Sequence, residues 1–524
     1  MSASQRLRRY HAHVWAEPVI NQLSNPGERG IIIPGEHDSK IRKLVGDPQH
    51  YIPGKMRRKN PPNLPEVSQP QALRHYLRLS EENMGIASCI GLGGGTDTVK
   101  YNPLINEELA RLVADMHPLQ PEETAQGILE ILYKFRTFLC EISGLDEFSF
   151  QPGGGGHAIF TNACIIRKYH EDRKQLAEKN EIVTTVFSHP ADAACPATAG
   201  FKVVTLYPDP VTGIPEVEAL KAAVSKHTAG MMITNPEDTG IFNPQIDEFV
   251  KIVHEAGGVC SYDQANANCL LGITRAKEAG FDLCHFNIHK TFSSPHGSFG
   301  PALGAVGANR NLAKHLPVPV VAFQNGRYTL EYDRPKSIGK VKPFLGSAQI
   351  IVRAYAWTMA MGAEGLRQAA ETSIVNANYL KKKILTVPGI TVGYEKSDIR
   401  LDNIRFSLEK MNSDTGVGTA DVMRRMVDYG LQDYHTSHHP WIVPEPFTPE
   451  PCESYSRSDI DYWVEVMRQI SKEAYTDPEL VKKAPHSQSI GRINEASLNS
   501  PEKWAMTWRA YLTKSGNNMQ PTKT

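Results

Sequence analysis

Asp263 and Lys290 are the residues from which chemistry can be argued. Each stands at the end of a short apolar run, V-C-S-Y-D at 259–263 and L-C-H-F-N-I-H-K at 283–290. Runs of that length read as buried strands. Ligands of open α/β sheets sit beyond the carboxyl ends of the strands. A carboxylate and an amine delivered to two such ends suit pyridoxal phosphate. The lysine condenses with the aldehyde as an imine, and the acid keeps the pyridine nitrogen protonated. Two surface charges would give the same spacing, so the flanking residues decide.

The elements that must position this pair follow from pattern. Residues 182–187, 202–207, 230–234 and 258–263 read as strands. Helices are expected at 215–224 and 246–255 between the later ones. Such alternation predicts a mainly parallel sheet with helices on its faces. Before it, Ile105, Leu109, Leu112, Val113 and Met116 have helical spacing, with Asn106 as the expected N-cap. Gln126 to Cys140 reads as a buried helix. Q-P-G-G-G-G-H-A at 151–158 leads into a further helical run. Glycines just before a helix let backbone N–H groups close on an anion, so Gly154 to Ala158 is expected to cradle a phosphate. A long helix from Ala348 to about Leu385 is followed by strands at 390–394 and 403–408 and by helices at 419–429 and from Ser458. That is a small α+β domain.

Composition bounds the rest. The 524 residues exceed one compact core. Fifty-seven basic residues balance 57 acidic ones, which gives no reason to expect nucleic acid or an anionic membrane as partner. No apolar run approaches the ~20 residues of a spanning helix. The basic N-terminus lacks the apolar core of a secretory signal. Eight scattered cysteines without a C-x-x-C pair suit free thiols in a reducing cytoplasm. H-T-S-H-H at 435–439 has no recognisable third and fourth ligand, so no metal site is expected and the segment reads as a loop facing the site's mouth. The expected domains are a loop-rich N-terminal arm at 1–103 that wraps a partner subunit, a large domain at 104–315, a small domain at 316–492 and a polar tail at 493–524.

H-F-N-I-H-K-T-F-x-x-P-H-G at 285–297 resembles the lysine motif of the glycine-cleavage P-protein family, and specifically glycine dehydrogenase (decarboxylating) subunit 2. Y-D-x-A-N at 262–266 is similar to its pyridine-nitrogen segment. So are S-x-P-G-x-R-G at 24–30, R-H-Y-x-R-L-S at 74–80, K-Y-N-P at 100–103, H-P-L-Q-P-E-E-T at 117–124, T-N-P at 234–236 and D-R-P-K-S-I-G at 333–339. The resemblance implies an α/β, aspartate aminotransferase-like fold of type I, in which the small domain closes over the cofactor. It implies Lys290 as the imine lysine, Asp263 at the ring nitrogen and His189 stacked on the ring. Asn235 is implied at the 3-hydroxyl, with Gly155, Gly156, His157 and Thr98 also at the cofactor. Asp97, His296, Arg29 and Ser298 are implied on the substrate side. The implied reaction removes a Cα substituent from an amino acid through an external imine and a quinonoid carbanion, as a decarboxylating lyase. The implied partners are a second copy or a homologous subunit, and a lipoyl carrier protein.

The chain departs from the family pattern at several of these places. Asp97 replaces a cysteine, Ala158 and Ile159 replace a Gly-Glu pair, Pro190 to Ala193 replace Gly-Thr-Asn-Pro, and Ser298, Phe299, Ala302 and Leu303 add bulk to a glycine run. These changes raise an alternative: a paralogue with the same cofactor site that performs elimination, substitution or carbon–carbon bond formation on another amino acid. A non-catalytic partner subunit is a further alternative, opposed by the presence of both Lys290 and Asp263.

Overall fold

The computed structural model describes residues 7–514 apart from 32–38, 61, 86–87, 93–99, 101, 295–300, 398 and 432–436. The chain divides into two units: Met1–Arg9 with Ile86–Lys483, and Tyr10–Gly85 with Ala484–Thr524.

Seven strands of the larger unit form one sheet: β1 (Glu147–Ser149), β2 (Glu181–Thr185), β3 (Lys202–Leu206), β4 (Thr228–Thr234), β5 (Val259–Gln264), β6 (Leu283–Asn287) and β7 (Gly304–Ala308). In space they run β1-β7-β6-β5-β4-β2-β3. Strands β3, β2, β4, β5 and β6 are parallel, and β7 is antiparallel to both its neighbours. Every residue of β5 and β6 is buried. Helices cover both faces, which is why these strands read as continuous apolar runs and not as alternation. The strands expected at 182–187, 202–207, 230–234 and 258–263 form within two residues of both ends.

The helix at Ile246–Glu255 has its expected bounds, with Ile246, Phe249, Val250 and Val253 inward. The first helix of this unit differs from expectation. It spans Leu104–Arg111 with Pro103 as N-cap, and Asn106 lies buried within it. Asn106 donates its amide to the Ser293 carbonyl at 3.5 Å. A tertiary partner thus takes the side chain that local pattern assigned to capping. The long helix Ala348–Ile384 breaks at Gly362, where φ is +62°. A helix at Ala191–Thr198, beyond the expected set, encloses Pro196.

After a hairpin of β8 (Val320–Gln324) and β9 (Arg327–Glu331), the chain builds a three-stranded sheet from β10 (Thr391–Val392), β11 (Phe406–Ser407) and β12 (Pro446–Phe447). The helix Arg457–Thr476 packs with it around Leu380, Phe406, Phe447, Trp463 and Met467, a core separate from that of the large sheet. Ser456 and Asp459 form its capping box.

The smaller unit carries a helix at Gln69–Glu81 within the segment expected to be loop-rich. Ser68 and Gln71 cap it reciprocally. Glu17 ties its neighbouring extended chain to His75 at 2.9 Å and to Arg78 at 3.1 Å. Among the described residues no helix is long and apolar enough to cross a membrane.

Candidate active site

β5 ends in Asp263 and β6 runs into Lys290, and the two strands pair in register, Asp263 opposite His285. Asp263 is 4% exposed and Lys290 is 7% exposed, which removes both from the class of surface charges. Asp263 Oδ1 accepts the Ala265 N–H at 2.8 Å and lies 3.2 Å from His285 Nε2. Its other oxygen, Oδ2, is buried without an N–H donor. A buried acceptor of that kind is costly unless something donates to it. Burial pushes the carboxyl upward, but His285, His189, the Ala265 N–H and a hydrogen bond from Asp192 outweigh it and hold Asp263 below its usual range. Burial keeps His285 low, and so neutral, against the pull of Asp263.

A second carboxyl group stands beside Asp263. Asp192, in the first turn of the Ala191–Thr198 helix, is buried and within 3.4 Å of Thr234 Oγ1. Burial first and Asp263 second push it far above the usual range. Asp192 hydrogen-bonds to Asp263, and of the two carboxyl groups it is the one pushed toward the protonated form. The family's Gly-Thr-Asn-Pro stretch therefore becomes a segment that delivers an acid to Asp263, a role that its local sequence does not signal.

His189 follows β2. Its Nδ1 accepts the Ala191 N–H at 3.1 Å; the residue is exposed, yet desolvation by the protein packed around it lowers its affinity for a proton. Both Asp263 and Lys290 act on its charge. Asn235 closes the loop after β4: its Oδ1 accepts the Asn243 N–H at 2.8 Å and its Nδ2 donates to the Asn243 carbonyl at 3.2 Å. One N–H and one lone pair of the amide remain for a ligand. The loop after β5 is held by Thr291 Oγ1, which accepts the Ala267 N–H at 2.9 Å, and by Glu450, which accepts from Asn266 and, at 2.7 Å, from Asn268.

The helix Gly155–Asp172 starts with no side-chain cap, so the N–H groups of Gly155, Gly156 and His157 have no intrahelical acceptor. A Cβ at Gly155 would stand 2.6 Å from Asn287 Nδ2, so glycine lets the cradle pack on the end of β6 without displacing the Asn287 carboxamide. The Gly153 N–H donates to His157 Nδ1 at 3.1 Å. Lys342 brings its ammonium against Gly153 and lowers the pKa of His157 after burial has done so. No motif marked Lys342; it comes from a segment nearly two hundred residues downstream.

Asp97, Thr98, His296, Ser298 and Phe299 fall outside the described residues. Arg29 is exposed in the smaller unit. Leu303 and Ala158 are fully buried in the hydrophobic core, so their bulk fills packing space and not a substrate path. The H-T-S-H-H segment, described only from Ser437, presents His438 to His189 with ring centroids 5.5 Å apart.

The sequence profile described as Glycine cleavage system P-protein matches residues 41–391, and that described as Glycine dehydrogenase, C-terminal domain matches 369–487. A Pyrococcus abyssi protein named "Probable glycine dehydrogenase (decarboxylating) subunit 2" is 44% identical over 506 residues, 96% of this chain and 98% of that one. A relative of the same name from Halalkalibacterium halodurans is 39% identical over 488 residues, 92% of this chain and 96% of that one. The chain belongs to the glycine cleavage system P-protein family. A solved structure of a glycine decarboxylase P-protein in inhibitor-bound form overlays with a TM-score of 0.70 at 18% identity, covering 84% of this chain and all of that one. A NifS-like protein overlays at 0.56 with 16% identity, covering 73% of this chain and 99% of that one. Both show the same fold, type I of the enzymes dependent on pyridoxal phosphate, and the family's cofactor is pyridoxal phosphate. The residues present fit that group. Asp263 Oδ2 is a buried acceptor with no N–H donor, which a ring N–H would supply. The uncapped N–H groups beside Lys342 suit a phosphate.

Proposed function

We propose that this chain is the cofactor-bearing subunit of a glycine dehydrogenase (decarboxylating), acting at the Cα of glycine. The names of relatives that match it along nearly their whole length support this reading. They do not favour the alternative of a paralogue with different chemistry. The observation that carries the site is the buried Oδ2 of Asp263, without an N–H donor, on the strand next to the one that leads to Lys290.

Lys290 would hold the aldehyde of pyridoxal phosphate, Asp263 its ring nitrogen, His189 its ring face and Asn235 its 3-hydroxyl. Gly155, Gly156 and His157, with Lys342, would hold its phosphate, and Thr98 is proposed as a further cofactor-binding residue. Once bound, the cofactor supplies an aldehyde that condenses with amines and a protonated ring that accepts the electron pair left when a Cα bond breaks. The chain's own residues prepare for this. Asp263 stays ionised, since Asp192 is the one of the two carboxyl groups pushed toward the protonated form. Its charge is presented at Oδ2, since Oδ1 is engaged by Ala265. Lys290 would be the amine that holds and returns a proton at Cα. Arg29, Asp97, His296 and Ser298 remain proposed substrate-side residues.

The relatives are named as one subunit of a larger enzyme, and we propose pairing with a homologous subunit or a second copy, in the cytoplasm, with a lipoyl carrier protein as acceptor. Leu73, Tyr76 and Leu77 share one face of the Gln69–Glu81 helix and are each more than half exposed, which suits an arm that covers a partner. The proposed working division keeps 1–103 as that arm, 104–315 as the cofactor domain, 316–492 as the closing domain and 493–524 as a tail. The test is exchange of labelled carbon dioxide into glycine, with carrier protein and candidate partner present. Exchange that disappears in Lys290→Ala supports the proposal; a holoprotein that binds glycine but never exchanges would refute it.

A further inference from the structure

The histidine-rich segment has no part in the function described so far, yet one of its residues meets the site. His438 stands edge-to-face against His189, centroids 5.5 Å apart and planes at 85°. His438 is itself anchored. Its Nδ1 lies 3.3 Å from Asp238 Oδ2, and the same oxygen accepts from Arg405 Nη2 at 2.7 Å. Arg405 is buried, with its guanidinium 5.2 Å from the centroid of Phe187, two residues before His189. The contacts close a circuit: Phe187, Arg405, Asp238, His438, His189. Its members come from the end of β2, the loop after β4, the start of β11 and the segment before β12.

The circuit has a rigid side and a movable one. Burial works against the Asp238 charge, but the hydrogen bond from His438 and the charges of Arg405, His438 and His189 hold it ionised. Arg405 is fixed by burial and by Phe187. On the movable side, His189 has one ring hydrogen bond, from Ala191 to Nδ1. That bond sets the proton of the neutral ring on Nε2 but leaves the ring a swing about the bond. The His438 ring stands against the His189 ring on one side.

We infer that His438 is a positioning residue: anchored through Asp238 on Arg405, its ring fixes the plane in which His189 meets the cofactor. The inference rests on the proposed stacking role of His189. An edge-to-face pair of this kind is worth a factor of about two to ten in a binding constant.

Cofactor dissociation constants of His438→Ala, His438→Gln and His189→Ala, and of each His438 change in the His189→Ala background, test it. His438→Gln keeps a donor for Asp238 but has no ring. Both His438 variants should bind pyridoxal phosphate about two- to tenfold more weakly, and neither should add more than about twofold when His189 is already alanine. Restoration of affinity by glutamine would mean a merely structural anchor and would overturn the inference, as would equal effects in both backgrounds. A second readout needs no cofactor. The groups facing His189 are Asp263, Lys290, Asp238 and His438. Removing His438 takes away a neighbour that disfavours protonation, so the nuclear magnetic resonance titration of His189 in the apoprotein should move to higher pH. If His189→Ala leaves cofactor binding unchanged, the stacking role itself fails; an unmoved His189 titration in His438→Ala then counts against the positioning claim separately.

Discussion

Asp263 faces His285 across paired strands, Oδ1 3.2 Å from Nε2, while its second oxygen is buried with no N–H donor. The arrangement directs the carboxylate's remaining capacity at one point. A ring nitrogen at that point would keep its proton through a charge-assisted hydrogen bond. Asp263→Asn removes the charge and keeps the shape. Cofactor affinity should change by less than about tenfold, whereas turnover should fall by about 10²-fold or more. Steady-state kinetics on the fully loaded variant measure this, and unchanged turnover would remove Asp263 from the chemistry.

Lys290 should carry the cofactor covalently. It is buried at the end of the run that follows β6, and its charge acts on both His189 and His285. Lys100 is buried too, but it is paired with Glu453 at 2.8 Å and lies over Trp357. Borohydride reduction followed by peptide mapping should find the pyridoxyl label on Lys290, and Lys290→Ala should lose the visible absorbance band. A label on Lys100 or Lys277 would contradict the assignment.

Asp263 and Lys290 were legible because each ends an apolar run of strand length, and local pattern is enough to find such runs. The helix at 246–255 was legible for the same reason: its inward residues repeat at helical spacing. What sequence left hidden is made by contacts between distant segments. Arg405 and Asp238 are 167 residues apart, and His438 and Asp238 are 200 apart. No periodicity links such residues. Asn106 and Leu303 were misread in the opposite sense. Each has a side chain suited to a local or site role, and each is consumed by packing or by a tertiary hydrogen bond. The substrate-side departures at 97 and 298 lie outside the described residues.

The phosphate cradle separates two glycines that sequence treats alike. A Cβ at Gly155 meets Asn287 at 2.6 Å, whereas one at Gly156 meets nothing within 4 Å. Both positions are in the first turn of a helix, where alanine is otherwise favoured over glycine. Gly155→Ala should therefore cost about 1–3 kcal/mol through overpacking and weaken cofactor binding. Gly156→Ala should be neutral, or stabilising by up to about 1 kcal/mol. Thermal unfolding with and without cofactor compares them. Equal behaviour of the two variants would show that the cradle is not packed on Asn287 as described.

The last prediction concerns pH. Glu450 is buried, with Oε1 receiving bonds from Asn266 and Asn268. Burial first, then Asp402, pushes its pKa up to about 7, against the opposing effects of the two asparagines and Lys290. A carboxyl raised on folding favours the protonated folded state. Its contribution is fully present below the unfolded value of about 4.3 and is lost as pH rises through about 7. The window is therefore roughly pH 4.5 to 7.5, and the protein should be more stable at its acid end as far as this group is concerned. Glu450→Gln keeps an oxygen acceptor for both asparagines and cannot ionise. Its melting temperature should match the wild type near pH 5 and exceed it by several degrees near pH 8, a difference on the order of 2–4 kcal/mol. Asp402, raised to about 6 chiefly by burial, shares the window, so Asp402→Asn in the same background should flatten the remaining slope. Parallel melting curves for wild type and Glu450→Gln across the whole range would mean that Glu450 keeps its ordinary affinity for a proton, and that the loop after β5 is held by a plain ionised carboxylate.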